Sequence, residues 1–442
     1  MTVTVFFMLN YQQTLDYMFA RLPMFSRIGA AAYKADLTNT IKLCETLGNP
    51  HHQFKSIHIA GTNGKGSVSH TLAAILQTAG YKTGLYTSPH LRDFRERIKI
   101  NGLMIEEAFV VDFTERVKPF IELIEPSFFE ITVAMAFEYF ALQKVDIAII
   151  ETGLGGRLDS TNVITPELSV ITNIGYDHMN ILGETLPLIA AEKAGIIKHK
   201  IPVVIGETLP ETLPVFEEKA ALESSPIFYA SKERWIADWE QQNHKLKVTV
   251  ADTQSEERKL FELSLTGLYQ LKNLLTVFSS IHQLQLLGWK INESNIQQGL
   301  LHVARLTGFE GRWQIIHENP YTVLDVGHNE DGVRQIVSQL EHCKYQKLHI
   351  VIGLVKDKDI SKVLALLPKH AQFYFTRAQI PRALPENELM QLASPYELHG
   401  NAYRTVSAAV QSAVIQAQTN DMILICGSVF VVGEVNPAYI KW

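Results

Sequence analysis

The run Gly61-Thr-Asn-Gly-Lys-Gly-Ser67 has the composition of a loop that holds phosphate. Glycines let the backbone curl until its N–H groups face an anion, and a helix that starts there adds its positive end. Lys65 supplies a point charge for the outer phosphates. Gly61, Thr62, Asn63, Gly64, Lys65, Gly66 and Ser67 are therefore the candidate nucleotide-binding residues. The run departs from the common phosphate-loop pattern, because Gly66 separates Lys65 from Ser67. A nucleotide bound at Lys65 needs Mg²⁺, which takes hard oxygen ligands and water. Glu151 closes the apolar run Val145-Asp-Ile-Ala-Ile-Ile150 and is followed by Gly153, Gly155 and Gly156. At the carboxyl end of a strand its carboxylate meets the crevice where open α/β sheets bind ligands. His178 follows the next apolar run by a few residues, placed to reach the same crevice.

These residues need elements to hold them. Lys55-Ser-Ile-His-Ile-Ala60 reads as a strand that delivers the chain to the loop. After the loop, Val68, Leu72, Ile75, Leu76 and Ala79 recur at helical spacing, and Gly80 sits where a C-terminal cap belongs. Strand, glycine loop, helix is the order a phosphate-binding unit requires. The runs 145–150, 168–172 and 201–205 read as strands buried in a parallel sheet with helical crossovers. Residues 11–47 read as helical, broken around 23–29. The polar stretch 230–265, with its alternating Lys245-Leu-Lys-Val-Thr-Val250, reads as an antiparallel excursion at the edge of the first domain. Residues 305–312 read as a linker. Strand-like runs then resume at 322–326, 348–353, 372–376 and 422–427. The expectation is α/β: a phosphate-loop NTPase-like domain with a mainly parallel sheet over 1–304, then a smaller Rossmann-like domain over 305–442.

A chain of 442 residues is too long for one ordinary core, which agrees with two or three domains. Hydrophobic residues at 46% and charged residues at 19% belong to an ordinary globular protein. A net charge of −6 argues against a nucleic-acid partner. Cys44, Cys343 and Cys426 form no CxxC pair and fit a reducing cytosol. No apolar run approaches the roughly 18–20 residues of a membrane helix. Residues 1–9 are apolar but short and lack a basic flank, so they do not read as a signal peptide. Met8 is the expected translation start.

The loop with its inserted glycine resembles that of the folylpolyglutamate synthase/dihydrofolate synthase family, enzymes that are similar to the Mur ligases. Further matches run along the chain: Leu47-Gly-Asn-Pro50, Tyr86-Thr-Ser-Pro-His-Leu91, and Glu151-Thr-Gly-Leu-Gly-Gly-Arg-Leu-Asp-Ser-Thr-Asn162. They continue through Asn173-Ile-Gly-Tyr-Asp-His178, Glu192-Lys-Ala-Gly-Ile196, Gly311-Arg312, Leu324-Asp-Val-Gly-His-Asn329 and Cys426-Gly-Ser428. The resemblance implies ATP and Mg²⁺, with a monovalent cation such as K⁺ as a further candidate. It implies that Ser88, Glu151 and His178 hold Mg²⁺ and that Lys193 is carbamylated. It puts Asn273 near the adenine and brings Arg312 to the nucleotide across the interdomain cleft. Asp325 and His328 fall on the nucleotide and glutamate side of that cleft. Asp159 falls by the pterin site and Ser428 by the incoming glutamate. Lys65, Lys193 and His328 are the catalytic candidates. Two departures stand out: Glu310 replaces the usual proline before Gly311, and Val326-Gly327 replaces the usual Gly-Ala pair before His328. Arg92, Arg95, Arg97 and Lys99, in residues 88–101, read either as a solvated loop or as a mobile lid over an anionic substrate.

The implied reaction joins L-glutamate to dihydropteroate or to a (tetrahydro)folyl-(poly)glutamate. A substrate carboxylate attacks the γ-phosphorus of ATP, and the glutamate amine then displaces phosphate from the acyl phosphate. The implied enzyme is a cytoplasmic monomer with small-molecule partners and no nucleic acid or membrane. A Mur-type ligase for another carboxylate, or a nucleotide-binding regulator without ligase chemistry, remain the alternatives at this level.

Overall fold

The computed structural model describes residues 9–24, 29, 34, 36–242, 244–356 and 359–441. The expected start at Met8 lies outside them. The apolar run before the phosphate loop forms β1 (Lys55–Ala60), buried at every residue but the first. A strand can be apolar at successive positions when both of its faces are covered. Its neighbours are β2 (Thr83–Tyr86), β3 (Ile98–Ile100), β4 (Leu103–Met104), β5 (Ile147–Glu151), β6 (Leu168–Ile171), β7 (Val203–Ile205) and β8 (Ile227–Tyr229). They form one sheet in the order β4-β3-β2-β5-β1-β6-β7-β8, parallel except for the β2–β3–β4 meander. β1 thus sits centrally, with β5 and β6 delivering their carboxyl ends on either side of the loop.

The helix Lys65–Thr78 leaves the loop and is buried at every residue from Ser67 to Leu76. An amphipathic stripe would leave one face wet. Here helices Gln270–Leu286 and Glu293–Leu301 close over that face. The polar stretch after β8 does not extend the edge of the first sheet. It forms its own antiparallel sheet of β9 (Arg234–Gln242), β10 (Lys245–Asp252) and β11 (Arg258–Leu263). Leu246, Val248 and Val250 alternate inward and join the core of Val68, Leu72 and Ile75. On the other face of the sheet, helices Glu107–Ile124 and Phe128–Leu142 pack with Tyr11–Arg21 and Thr38–Thr46.

The expected linker at 305–312 is half helix. Val303–Thr307 is helical, ends on Gly308 at φ 63°, and packs on Lys65–Thr78. Val303 and Thr307, four apart, are buried on one side, and glycine is the usual residue at such a left-handed end. The glycines at 308 and 311 mark a helix stop and a turn rather than one extended connector.

The second sheet holds β12 (Gln314–Glu318), β13 (Tyr321–Leu324), β14 (Leu348–Ile352), β15 (Gln372–Thr376), β16 (Gly400–Tyr403) and β17 (Met422–Cys426). Their order is β12-β13-β17-β14-β15-β16, and β12 alone runs antiparallel. The four expected runs are the inner strands. β12 and β16 are the edges, half-exposed and polar, so they carry no apolar run to read. No described helix is long and apolar enough to cross a membrane.

Candidate active site

The loop at 61–67 is shaped by crowding. A Cβ on Gly61 would lie 1.9 Å from Thr172 Oγ1, and one on Gly64, at φ 83°, would lie 2.4 Å from Asn273 Oδ1. Neither position takes a side chain without moving its neighbours. The residues after β6 fix the curl. Thr62 N and Asn63 N donate to Asn173 O (2.9 Å) and Oδ1 (2.8 Å), and Thr172 Oγ1 donates to Asn63 O (2.6 Å). Lys65 Nζ folds back to donate to Gly61 O (3.0 Å) and Thr62 O (3.3 Å). Asn273 reaches the loop from helix Gln270–Leu286. Its Nδ2 donates to Gln270 Oε1 (2.8 Å), and Gln270 Nε2 donates to Ser67 Oγ (3.1 Å).

Glu151 ends β5 beside Ile59 and is buried. Burial pushes its carboxyl up to about 7, against the pull of Lys65, Arg312 and a backbone hydrogen bond from Ser88. A buried acid that resists ionisation is one that a bound cation would restore to its charged form. Ser88 and His178 line the same cavity as Lys65. His178 sits at φ 52°, an uncommon conformation for a side-chain-bearing residue, and its N–H donates to Asp177 Oδ1 (2.8 Å). Among the described residues no three acidic, histidine or cysteine side chains converge into a closed cage. Ser88 on the cavity wall and the buried carboxylate of Glu151 offer hard oxygens of the kind Mg²⁺ takes beside waters and phosphate oxygens, whereas the His178 imidazole is a softer donor.

Lys193, on helix Leu186–Ala194, is buried and donates its Nζ to Gly61 O (2.9 Å). Two lysines therefore share one carbonyl oxygen. Burial, reinforced by the charge of Lys65, holds the Lys193 amine down to about 7. Burial lowers Lys65 too, opposed by Glu151 and Asp177.

A cavity of about 290 Å³ opens between the domains. Gly61, Thr62 and Lys65 form its phosphate-loop end, and His328 and Ser428 face it from the second domain. Met24, Phe128, Phe129, Leu158 and Phe430 give it an apolar, aromatic lobe. Ser428 Oγ accepts from Val431 N (3.1 Å) as the cap of a short helix, which leaves its O–H to donate. His328 Nδ1 is 3.0 Å from Val326 O, and its Nε2 is 3.5 Å from Asp177 Oδ2.

Other expected residues sit differently. Asp159 touches the cavity, but its carboxylate is already occupied by Gly153 N, Leu154 N, Thr161 N and Thr161 Oγ1. It caps the turn at 160–163 and holds the glycine-rich segment. Asp325 lies outside the cavity lining and accepts from Tyr269 OH (2.7 Å), Trp313 N (2.9 Å) and Gly327 N (2.8 Å). It organises the junction between domains. Arg312 lies over the Phe309 ring at 5.6 Å, and that ring packs 3.5 Å from where a Gly66 Cβ would be. The cationic segment 88–101 is not a loose lid. Arg92 pairs with Glu310, Arg95 with Asp93, and buried Lys99 donates to Thr307 O (2.8 Å) and Gly308 O (3.3 Å). Arg97 alone of the four lines the cavity, with its Nε on His90 Nδ1 (2.8 Å). Asp177 and Asn329, which sequence reasoning did not single out, meet at the domain boundary. Each adjoins a histidine that was read as a candidate, which was the available signal.

Two families match this chain: the Mur ligase middle domain over residues 59–281 and the Mur ligase glutamate ligase domain over residues 311–429. The chain is 32% identical over 439 residues to the dihydrofolate synthase/folylpolyglutamate synthase of Bacillus subtilis, covering 96% of this chain and 98% of that one. It is 31% identical over 438 residues to the folylpolyglutamate synthase of Lacticaseibacillus casei, covering 97% and 98%. Mycobacterium tuberculosis folylpolyglutamate synthase complexed with ADP aligns with a TM-score of 0.85 at 27% identity, over 96% of both chains. An Escherichia coli structure in complex with DHPP and ADP aligns with a TM-score of 0.82 at 27% identity, also over 96% of both.

Proposed function

The chain belongs to the dihydrofolate synthase/folylpolyglutamate synthase family of Mur ligases, and from that premise we propose how its cleft joins L-glutamate to a pteroyl or folyl carboxylate. It is an ATP-dependent acid–amino-acid ligase. The observation that carries the proposal is the single cavity that begins at Lys65, widens into an aromatic lobe and is closed by His328 and Ser428. A free carboxylate is a poor electrophile, so it must first be activated next to the phosphate loop.

In this reading the nucleotide-binding domain spans 1–304 and the glutamate ligase domain 305–442. The backbone N–H groups of 61–67 and Lys65 hold the phosphates of ATP, Asn273 lies toward the adenine, and Arg312 reaches the nucleotide across the cleft. Phe128, Phe129 and Leu158 stack on the flat ring of dihydropteroate or a reduced folate, whose carboxylate attacks the γ-phosphorus. Ser88, Glu151 and His178 would hold Mg²⁺, which would supply charge neutralisation at that phosphoryl group. Ser428 and His328 orient glutamate so that its amine attacks the acyl carbonyl and phosphate leaves. The closed cleft keeps water from the acyl phosphate. The proposal includes a cytosolic monomer, supported by the net charge and the free cysteines.

The test is phosphate release with ATP, Mg²⁺ and L-glutamate, run separately with dihydropteroate and tetrahydrofolate. Release with both, each giving a product one glutamate heavier, is expected. Release with one alone would assign a single activity, and release with neither would overturn the proposal.

Lys193 enters the proposal as a carbamate. Its amine, held near neutral by burial and by Lys65, is free to attack carbon dioxide, forming an N–C bond and losing a proton. The product is an anion beside Lys65, where two cations now share Gly61 O. Labelled carbon dioxide is expected to give a carbamate carbon resonance in the wild type and none in Lys193→Met. A fully active preparation without that resonance would rule the modification out.

A further inference from the structure

Asn329 is one of the side chains at which the second domain grips the first, and it does so at the phosphate loop itself. It is buried, caps helix Glu330–Leu340, and has every hydrogen-bonding position filled. Its Nδ2 donates to Asn63 Oδ1 (3.2 Å) and to Asp177 Oδ2 (3.1 Å). Its Oδ1 accepts from Asn63 Nδ2 (3.3 Å) and from Gly332 N (2.8 Å). A primary amide has two donor hydrogens and two acceptor lone pairs, so nothing is left over. Two of its three partners are the midpoint of the phosphate loop and the acid beside His178. Gly175 permits the approach, because a Cβ there would lie 1.9 Å from Asp331 Oδ2, in the first turn of the same helix.

We propose that Asn329 is a positioning residue that makes docking of the glutamate domain conditional on the geometry of the phosphate loop and of the 173–178 segment at once. This rests on the ligase reading above. Asn63 turns its whole amide toward Asn329, so a shift in the loop's curl is transmitted to the second domain through a reciprocal amide pair. Asp177 receives Asn329 on the oxygen that also faces His328 Nε2. Docking through Asn329 therefore sets where His328 stands in the cavity. An undocked second domain leaves the acyl phosphate open to water.

Two variants test this. Asn329→Ser keeps an oxygen to cap Gly332 N but is too short to reach Asn63 or Asp177. Asn329→Asp keeps the cap and the acceptor for Asn63 Nδ2 but has no donor and faces Asp177 with like charge. Both are expected to raise the KM for glutamate by about tenfold or more, as the loss of three interdomain hydrogen bonds in the serine variant and two in the aspartate variant predicts. Both are also expected to release more than one phosphate per amide bond formed. A phosphate-to-amide ratio that stays at one, with glutamate KM within about twofold, overturns the proposal, whatever happens to Tm. Small-angle scattering of the ligand-free proteins reads the same contact without catalysis: the variants are expected to be more extended, and identical curves overturn it too. If the wild type itself releases no phosphate in response to glutamate, the ligase reading fails instead, and scattering still decides the docking role.

Discussion

Lys65→Met is expected to lower kcat by about a thousandfold or more, roughly 4 kcal/mol of lost transition-state stabilisation, and to leave the fold intact. The Nζ donates to two carbonyls of its own loop and to no other group among the described residues. Those carbonyls lose little when an apolar side chain of similar length replaces the lysine. Burial already disfavours the charge, so its removal relieves a desolvation cost in the ligand-free protein. The charge is of use when a phosphoryl group is in transit, where negative charge spreads over the equatorial oxygens. Single-turnover phosphate release and thermal unfolding check this together. A variant within about tenfold of wild type would mean that the loop amides and metal suffice.

Glu151→Gln is expected to lower kcat/KM by at least about a hundredfold and to make the ligand-free protein more stable above neutral pH. The two effects share one cause. In the fold the carboxyl titrates at about 7, against 4.5 for an ordinary glutamate. Below 4.5 both folded and unfolded states are protonated and the fold pays no penalty. Between 4.5 and about 7 the unfolded chain ionises while the folded one holds its proton, so stability falls as pH rises. The loss is complete above about 7 and amounts to about 3 kcal/mol. Glutamine cannot ionise and escapes it. Melting curves of both proteins without metal should therefore coincide at pH 4 and separate by pH 8, the variant melting higher. Added Mg²⁺ should raise the wild type at pH 8 and not the variant. Equal melting at pH 8, or equal gains from Mg²⁺, would contradict the buried-ligand account.

The phosphate loop was legible because its constraints are local: two glycines stand where neighbouring side chains leave no room, and an apolar strand and a helix flank them. Glu151 was legible because it ends such a strand. Asp159 and Asp325 were placed by resemblance, and their hydrogen-bond partners were not legible. Asp159, on the cavity wall, also takes up the N–H groups of its own turn. Asp325 is held by Tyr269 and Trp313, and those partners come from separate elements, 56 and 12 residues away in the chain. The cationic segment 88–101 read as a solvated loop or a mobile lid because Arg92 and Lys99 have no partner nearby in sequence. Glu310, Val435 and Thr307, their actual partners, arrive only when the chain has folded. β12 and β16 were missed because half-exposed edges carry no apolar run.

The stapling of the connector has a consequence for how the enzyme can breathe. Lys99 fixes the chain at Thr307 and Gly308, and Asp325 fixes it again at Trp313. The short turn between those anchors is itself held, with Arg92 on Glu310 and Val326 N on Gly311 O, and Phe309 packs beside the phosphate loop at Gly66. A rotation of the second domain would therefore pivot beside the phosphate loop, like a door hinged next to its lock. It would move the far rim of the cleft widely and the loop end hardly at all, so the aromatic lobe would open while the loop stays in place.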